Sequence, residues 1–243
     1  MTRTRKEVNE MEFQKLSALS LKDMFVSQIR NQILSGQLSV GSQLPTEREI
    51  AKQMQVSRSV VNSGFAELEK QGFLEVLPRK GVFVADYGKT GNINTLNAIM
   101  EYHGDTLEQS QIHSILEVRR ALEHLVTDSV IKNATDEDIL GLEGILETIA
   151  GAKSVQETVV ATFAFHHRLS VISKNIIMPL IYISFKPVVT QLWKRFCQHY
   201  GNQALYDNTL CLYKCIKDRD TESTKRCTDK HMDDAINGGR QIL

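Results

Sequence analysis

Ser57, Arg58, Ser59 and Asn62 fall within six positions of one another, and they are side chains suited to reading base edges in a DNA groove. Arginine pairs bidentately with guanine and asparagine with adenine, while serine bonds to either. Arg79, Lys80 and Gly81 form a second group, two cations on a glycine-bearing tip that could reach phosphates or an adjacent minor groove. Thr46 and Arg48 form a third, with Arg48 expected on an outward helix face. The chemistry of these groups is recognition of a polyanion. The sequence shows no nucleophile–base pair and no glycine-rich phosphate loop, so turnover is not expected.

The surrounding pattern supplies elements to hold these groups. Met24, Ile29, Ile33 and Leu34 recur at helical spacing in a first helix over residues 19–34, which stops at Ser35-Gly36. After a loop containing Gly41 and Pro45, Thr46 and Glu49 stand at capping-box spacing and open a second helix that runs to about Met54. Gln55-Val56 then turns the chain. Ser57 caps a third helix whose Val60, Val61, Phe65 and Leu68 face inward, and Gly72 ends it. Strands over 73–77 and 82–85 flank the tip Pro78-Arg79-Lys80-Gly81. The order is helix, turn, helix and two-stranded wing, and the amino-terminal end of its third helix is the part that enters a major groove.

Beyond Gly88 the pattern is helical, with helices expected over 92–102, 107–132, 136–150, 155–172, 175–200, 203–217 and 220–238. Thr135 with Asp138 and Ser154 with Glu157 mark two of the starts. The expected fold is therefore mostly α. A tail over 1–14 precedes a winged helix-turn-helix over 15–86, and an all-α bundle of six to seven helices fills 87–243.

Bulk properties narrow the class. The 243 residues are 42% hydrophobic and 24% charged, as in a globular protein, with a formal net charge of zero. Residues 1–86 carry 12 Lys/Arg against 10 Asp/Glu, and the remainder 17 against 19, so DNA affinity would rest on a few placed cations. No apolar run approaches the roughly 20 residues of a membrane span, and no apolar segment follows the first basic residues. A cytoplasmic protein is expected. Cys197, Cys211, Cys215 and Cys227 lack CxxC spacing, and the expectation for them is reduced, buried core thiols.

The segment LPTEREIAKQMQVSRSVVNSGFAELEKQGFLEVLPRKGVFV resembles the winged helix-turn-helix of the GntR family of bacterial transcription regulators. The resemblance implies DNA contacts from Arg48, Arg58 and the wing. The family usually has arginine where this chain has Asn62, which puts its operator preference in question. The segments ILEVRRALEHLVTDSVIKNATDEDI, TFAFHHRLSVISKN and YKCIKDRDTESTKRCTDKHM resemble the helical ligand-binding domain of the FadR-type branch. That implies a homodimer on a pseudo-palindromic operator, with an effector bound in the bundle and Arg119 facing it.

Many members of the branch hold a divalent metal with an Asp, a His four residues later and two further His residues. The matching positions here are Thr162, His166, Thr209 and His231, so only His166 and His231 remain as ligands for a zinc or nickel ion, short of the three or four such a site needs. No cofactor is required by the resemblance. GNINTLNAIMEYHG and LWKRFCQHY are instead similar to segments of metal-free, fatty-acid-sensing members. This makes a fatty acid or acyl-CoA the first expectation for the effector and a small organic or sugar acid the second. The competing reading is a metal-binding helical domain with enzymatic activity, attached to a winged module.

Overall fold

The computed structural model describes residues 20–103 and 107–242. The expected 1–14 tail and a break expected at 104–105 fall outside them. The chain divides into two compact units, residues 1–90 and 91–243.

In the first unit α1 (Leu21–Leu34) begins where the Ser20 hydroxyl accepts from the Asp23 amide, and it buries Phe25, Val26, Ile29, Arg30 and Ile33. Met24, expected inward, is 54% exposed. α2 (Glu47–Gln53) opens on the capping box read from sequence. The Thr46 amide and hydroxyl donate to the Glu49 carboxylate at 2.9 and 2.8 Å, and the Glu49 amide donates back to the Thr46 hydroxyl at 3.4 Å. α3 (Arg58–Lys70) starts at Ser57, whose hydroxyl accepts from the Val60 amide. It buries Val61, Gly64, Phe65 and Leu68, while Val60 is only partly covered.

β1 (Leu74–Leu77) and β2 (Gly81–Val84) pair antiparallel, with Leu74 opposite Val84 and Leu77 opposite Gly81. The loop before α2 adds itself to β2. The Leu44 amide donates to the Val82 carbonyl and the Val84 amide to the Ser42 carbonyl, and the Gln43 side chain donates to the Lys80 carbonyl at 2.8 Å. The wing is thus tied to the start of α2. A short α4 (Tyr87–Thr90) follows, with Tyr87 against Phe73.

The second unit holds α5 (Ile93–His103), α6 (Gln109–Asn133), α7 (Asp136–Leu140), α8 (Glu143–Ala150), α9 (Val155–Ile172), α10 (Met178–Lys217) and α11 (Thr221–Ile236). Thr135 and Ser154 cap α7 and α9 as their spacing predicts. Two boundaries differ from the sequence reading. The helix expected over 136–150 is two, because Gly141 ends α7 and Leu142 turns fully inward. The helices expected over 175–200 and 203–217 are one element kinked at Gly201, whose φ of 81° and ψ of 163° only glycine adopts readily.

The central helix also differs from expectation. The apolar spacing of Met178, Leu180, Ile181, Ile183, Phe185, Val188, Val189, Leu192, Trp193 and Phe196 predicts a helix at the bundle centre, and, Met178 apart, only its later turns are fully buried. Instead α9 is the helix enclosed on most sides, burying polar Thr158, Thr162, His166 and Ser170 along with its apolar residues. On α10, Leu180 and Ile183 are 64% and 52% exposed. Two apolar clusters flank α9, one around Leu116, Phe163, Leu192 and Trp193, the other around Val126, Phe165, Leu212 and Ile216. No helix among the described residues is long and apolar enough to cross a membrane.

The packing of α1 on α3 has one tight point. A Cβ added at Gly64 would lie 2.2 Å from the Phe25 ring, which itself packs edge-on against Phe65. Gly64→Ala should therefore destabilise the first unit by about 1–3 kcal/mol net, because overpacking outweighs the ~1 kcal/mol that alanine gains in a helix. Urea unfolding checks this, and an unchanged or raised midpoint would show that α1 gives way freely.

Candidate DNA-contact surface and buried polar cavity

The groups singled out in the first unit lie on exposed backbone and converge in part. Thr46, Arg48, Arg58 and Gly81 line one groove, together with Gln43 and Val82. The groove exists because α2, the foot of α3 and the start of β2 meet there. Ser57, Arg58, Ser59 and Asn62 are all exposed at the amino-terminal end of α3. Thr46 and Ser57 have their hydroxyls engaged in capping, so each offers a lone pair rather than a free side chain.

Asn62 is not free either. With its amide nitrogen turned to the Glu47 carboxylate it donates at 2.7 and 2.9 Å. A base contact by Asn62 must displace that acidic partner, which the sequence reading did not include. Arg79 and Lys80 are exposed at the wing tip, with Arg79 at φ 64° and Gly81 at φ 115°. A Cβ on Gly81 would come 2.5 Å from Gln43 Nε2 and disturb the bond that ties tip to loop.

In the second unit a cavity of about 50 Å³ lies where the two apolar clusters meet. Arg119 and Glu123 enter it from α6, His166 from α9, Trp193, Asn208 and Thr209 from α10, and His231 from α11. Glu123, only 4% exposed, anchors the polar set. Its carboxylate lies 3.4 Å from Arg119 Nη2 and 3.9 Å from His166 Nδ1. The Arg119 guanidinium also stacks over Trp193 at 4.7 Å, and His166 stacks on the same ring at 5.2 Å. Sequence reasoning missed Glu123; its signal was an acidic residue four positions after Arg119, one helical turn along the same face.

Burial sets the charge states. It pushes His166 down to about 4, against the opposing pull of Glu123, so the imidazole is neutral at neutral pH. Burial likewise lowers His231. It would raise the Glu123 carboxyl, but the nearby His166 and Arg119 outweigh it and hold the group below its ordinary range. The cavity therefore carries one fixed cation and one fixed anion.

The two threonines at the positions matching the family's metal set, which the sequence also places at the effector site, divide. Thr209 lines the cavity, with its hydroxyl donating to the Leu205 carbonyl. Thr162 is fully buried but does not line it, because α9 turns that position toward its neighbours in the bundle. The donor set does not fit a metal. Threonine hydroxyls are poor ligands, the Arg119 cation sits in the cavity, and no group containing His166 and His231 brings three His, Cys, Asp or Glu donors within 4.8 Å among the described residues.

The neutral His166 makes stability depend on pH. The unfolded chain takes up a proton on this imidazole below about 6.5, which the folded chain refuses until about 4, so stability is complete above that window and is lost as pH falls through it. From pH 6.5 to 5 the loss from this group should be about 2 kcal/mol. His166→Gln should remove that part of the slope in urea midpoints measured from pH 5 to 7.5. An unchanged slope would mean that His166 is solvated or charged in the fold.

Residues 21–84 match the bacterial regulatory proteins of the gntR family, and residues 114–234 match the FCD domain. The chain is 28% identical over 179 residues to the Uxu operon regulator of Haemophilus influenzae, covering 73% of this chain and 60% of that protein. It is 25% identical over 156 residues to the fatty acid metabolism regulator protein of Shewanella halifaxensis, covering 64% of each. It is 24% identical over 203 residues to the galactonate operon transcriptional repressor of Escherichia coli K12, covering 82% of this chain and 86% of that one. With its winged unit and its helical unit both matched, the chain belongs to the GntR family of bacterial regulatory proteins and carries an FCD domain.

Proposed function

We propose that the protein is a transcription regulator that binds a pseudo-palindromic operator as a homodimer and releases or grips it according to a small carboxylate held in the helical unit. The observation that carries this reading is the pairing of an exposed Arg48–Arg58–wing groove with a partly open cavity around Arg119 in one chain. Arg58 stands where the recognition helix meets base edges, and Lys80 where a wing tip meets phosphates. Ile176, Ile177, Leu180 and Ile183 leave an apolar strip at the start of α10, which supports self-association. Two winged modules about a two-fold axis then read two half-sites.

The cavity favours a small anion over an acyl chain. Its volume of about 50 Å³ holds a few water-sized groups, so a sugar acid needs some widening at the open side, far less than a long acyl chain would. The polar lining supplies a guanidinium, two neutral imidazoles and an amide, which suit a carboxylate with hydroxyls. One relative is named for the galactonate operon and supports a sugar acid; another is named for fatty acid metabolism. No catalytic step and no metal enter the proposal. The polar groups are donors and acceptors for binding alone.

Three outcomes are expected. Arg58→Ala should cost about 1–3 kcal/mol of operator binding and relax preference at one base position, while Lys80→Ala should weaken all sequences alike and reduce the salt slope by about one. Equal, sequence-independent losses for both variants would leave Arg58 a phosphate contact. Arg119→Lys keeps the Glu123 pair but loses the planar fork, and should weaken a sugar acid such as galactonate about tenfold, with operator affinity of the free protein unchanged. By linkage, an effector that weakens operator binding must bind the operator complex less well by the same factor. Calorimetry with and without operator reads this directly. Native mass spectrometry showing a retained fatty-acid or acyl-CoA mass would replace the small carboxylate with a lipid.

A further inference from the structure

Cys211 and Cys215 stand four residues apart on α10, and Cys227 and His231 four apart on α11, giving the pattern C-x3-C…C-x3-H. Each pair shares a helix face one turn apart. The turn over 218–220 sets the two pairs against each other. Arg219 holds that turn by donating from Nη1 to the Ile131 carbonyl at 2.7 Å and from Nη2 to the Ala134 carbonyl at 2.9 Å. The three sulfurs lie within 4.8 Å of one another, with Cys211 and Cys227 sulfurs 2.7 Å apart. Both ring nitrogens of His231 are 3.9 Å from the Cys227 sulfur. Cys227 is buried, Cys215 half-buried and Cys211 exposed, so the cluster has a closed floor and an open mouth.

We propose that Cys211, Cys215 and Cys227 bind a thiophilic d¹⁰ metal ion, Zn²⁺ being the probe of choice, with His231 as the fourth ligand. Three thiolates and one imidazole are an established tetrahedral zinc set, with Zn–S distances of about 2.3 Å and Zn–N of about 2.0–2.1 Å. The three sulfurs already converge within 4.8 Å, Cys211 and Cys227 must part from 2.7 Å to take up an ion, and His231, now beside Cys227 only, must swing toward the other two sulfurs to complete the set. Each thiol gives its proton to the buffer as the ion binds, and no oxidant is involved. A disulfide between Cys211 and Cys227 would use two of the three convergent sulfurs and leave Cys215 without a role.

His231 gives the site a consequence. It also lines the cavity beside Arg119 and Glu123. An imidazole committed to the ion is withdrawn from the cavity or fixed at its edge, so metal occupancy and anion binding compete for, or jointly order, the same ring. The site lies outside the positions that resemblance assigns to a metal, except at His231, and it stands whether or not the proposed effector is correct.

The test uses the full-length protein reduced with a phosphine and freed of metal. Titration with Cd²⁺ should produce a thiolate-to-metal charge-transfer band that saturates at one ion per chain, and Zn²⁺ should abolish it. Bound Zn²⁺ should shield Cys211 and Cys215 from alkylation, as read by peptide mass spectrometry. Cys211→Ser and Cys215→Ser should each weaken Zn²⁺ by more than ~10-fold, whereas His166→Gln should leave it unchanged. Absence of the band in reduced wild-type protein would overturn the proposal, with no variant needed. Equal loss on His166→Gln would also overturn it, by moving the ion to the cavity.

Discussion

A buried carboxylate constrains the helical unit more than any other group. Glu123 sits almost without solvent between three helices, and an ionised group in that position must be neutralised from within the fold. Arg119, one turn away, supplies the charge, and Trp193 fixes the guanidinium by stacking beneath it. His166 completes the arrangement as a neutral imidazole stacked on the same indole ring. Four side chains from three elements therefore determine one another's positions. The cavity between them is lined by this set, with the Arg119 guanidinium held between Glu123 and Trp193.

The first unit solves a different problem. A net surplus of two cations over residues 1–86 is a weak field, so binding must come from placement. The Thr46–Glu49 box fixes where α2 begins, the Ser57 cap fixes where α3 begins, and Gln43 joins the wing to the loop between them. Arg48, Arg58 and the wing strand then face one groove. Glu47 introduces an acidic element into that surface by holding Asn62. Asn62 is thus restrained by a carboxylate, and any contact it makes must first displace Glu47.

Local signals were readable in the sequence because their causes are local. Caps at Thr46, Ser57, Thr135 and Ser154 depend on residues three apart, and each forms as its spacing predicts. The winged order and the class of the second unit follow from periodicity and turn residues in the same way. What was not legible depends on partners far along the chain. Gly64 is an ordinary helical glycine until Phe25 is laid across it. Glu123 looks like one more acidic residue on a helix until α9 and α10 close over it. The cysteines were read as buried, yet Cys211 is exposed, because only the Arg219-held turn reveals which face of α10 meets α11. Long apolar runs misled for the same reason. The run from Met178 predicts a bundle centre, but its first turns stay partly exposed, whereas α9 is buried together with Thr158 and Ser170, whose hydroxyls bond to their own helix.

Gly201 connects the half of α10 that carries Trp193 and Phe196 to the half that carries Thr209, Cys211 and Cys215. Its torsions lie in a region closed to L residues, yet a Cβ built there meets nothing within 4 Å. The restriction at this position is therefore one of chirality and not of room. The Cβ of an L residue would have room there, so the cost of replacing this glycine is torsional strain, which glycine alone avoids. The direction in which the two halves of the longest helix diverge is thus set by the one residue with no handedness of its own.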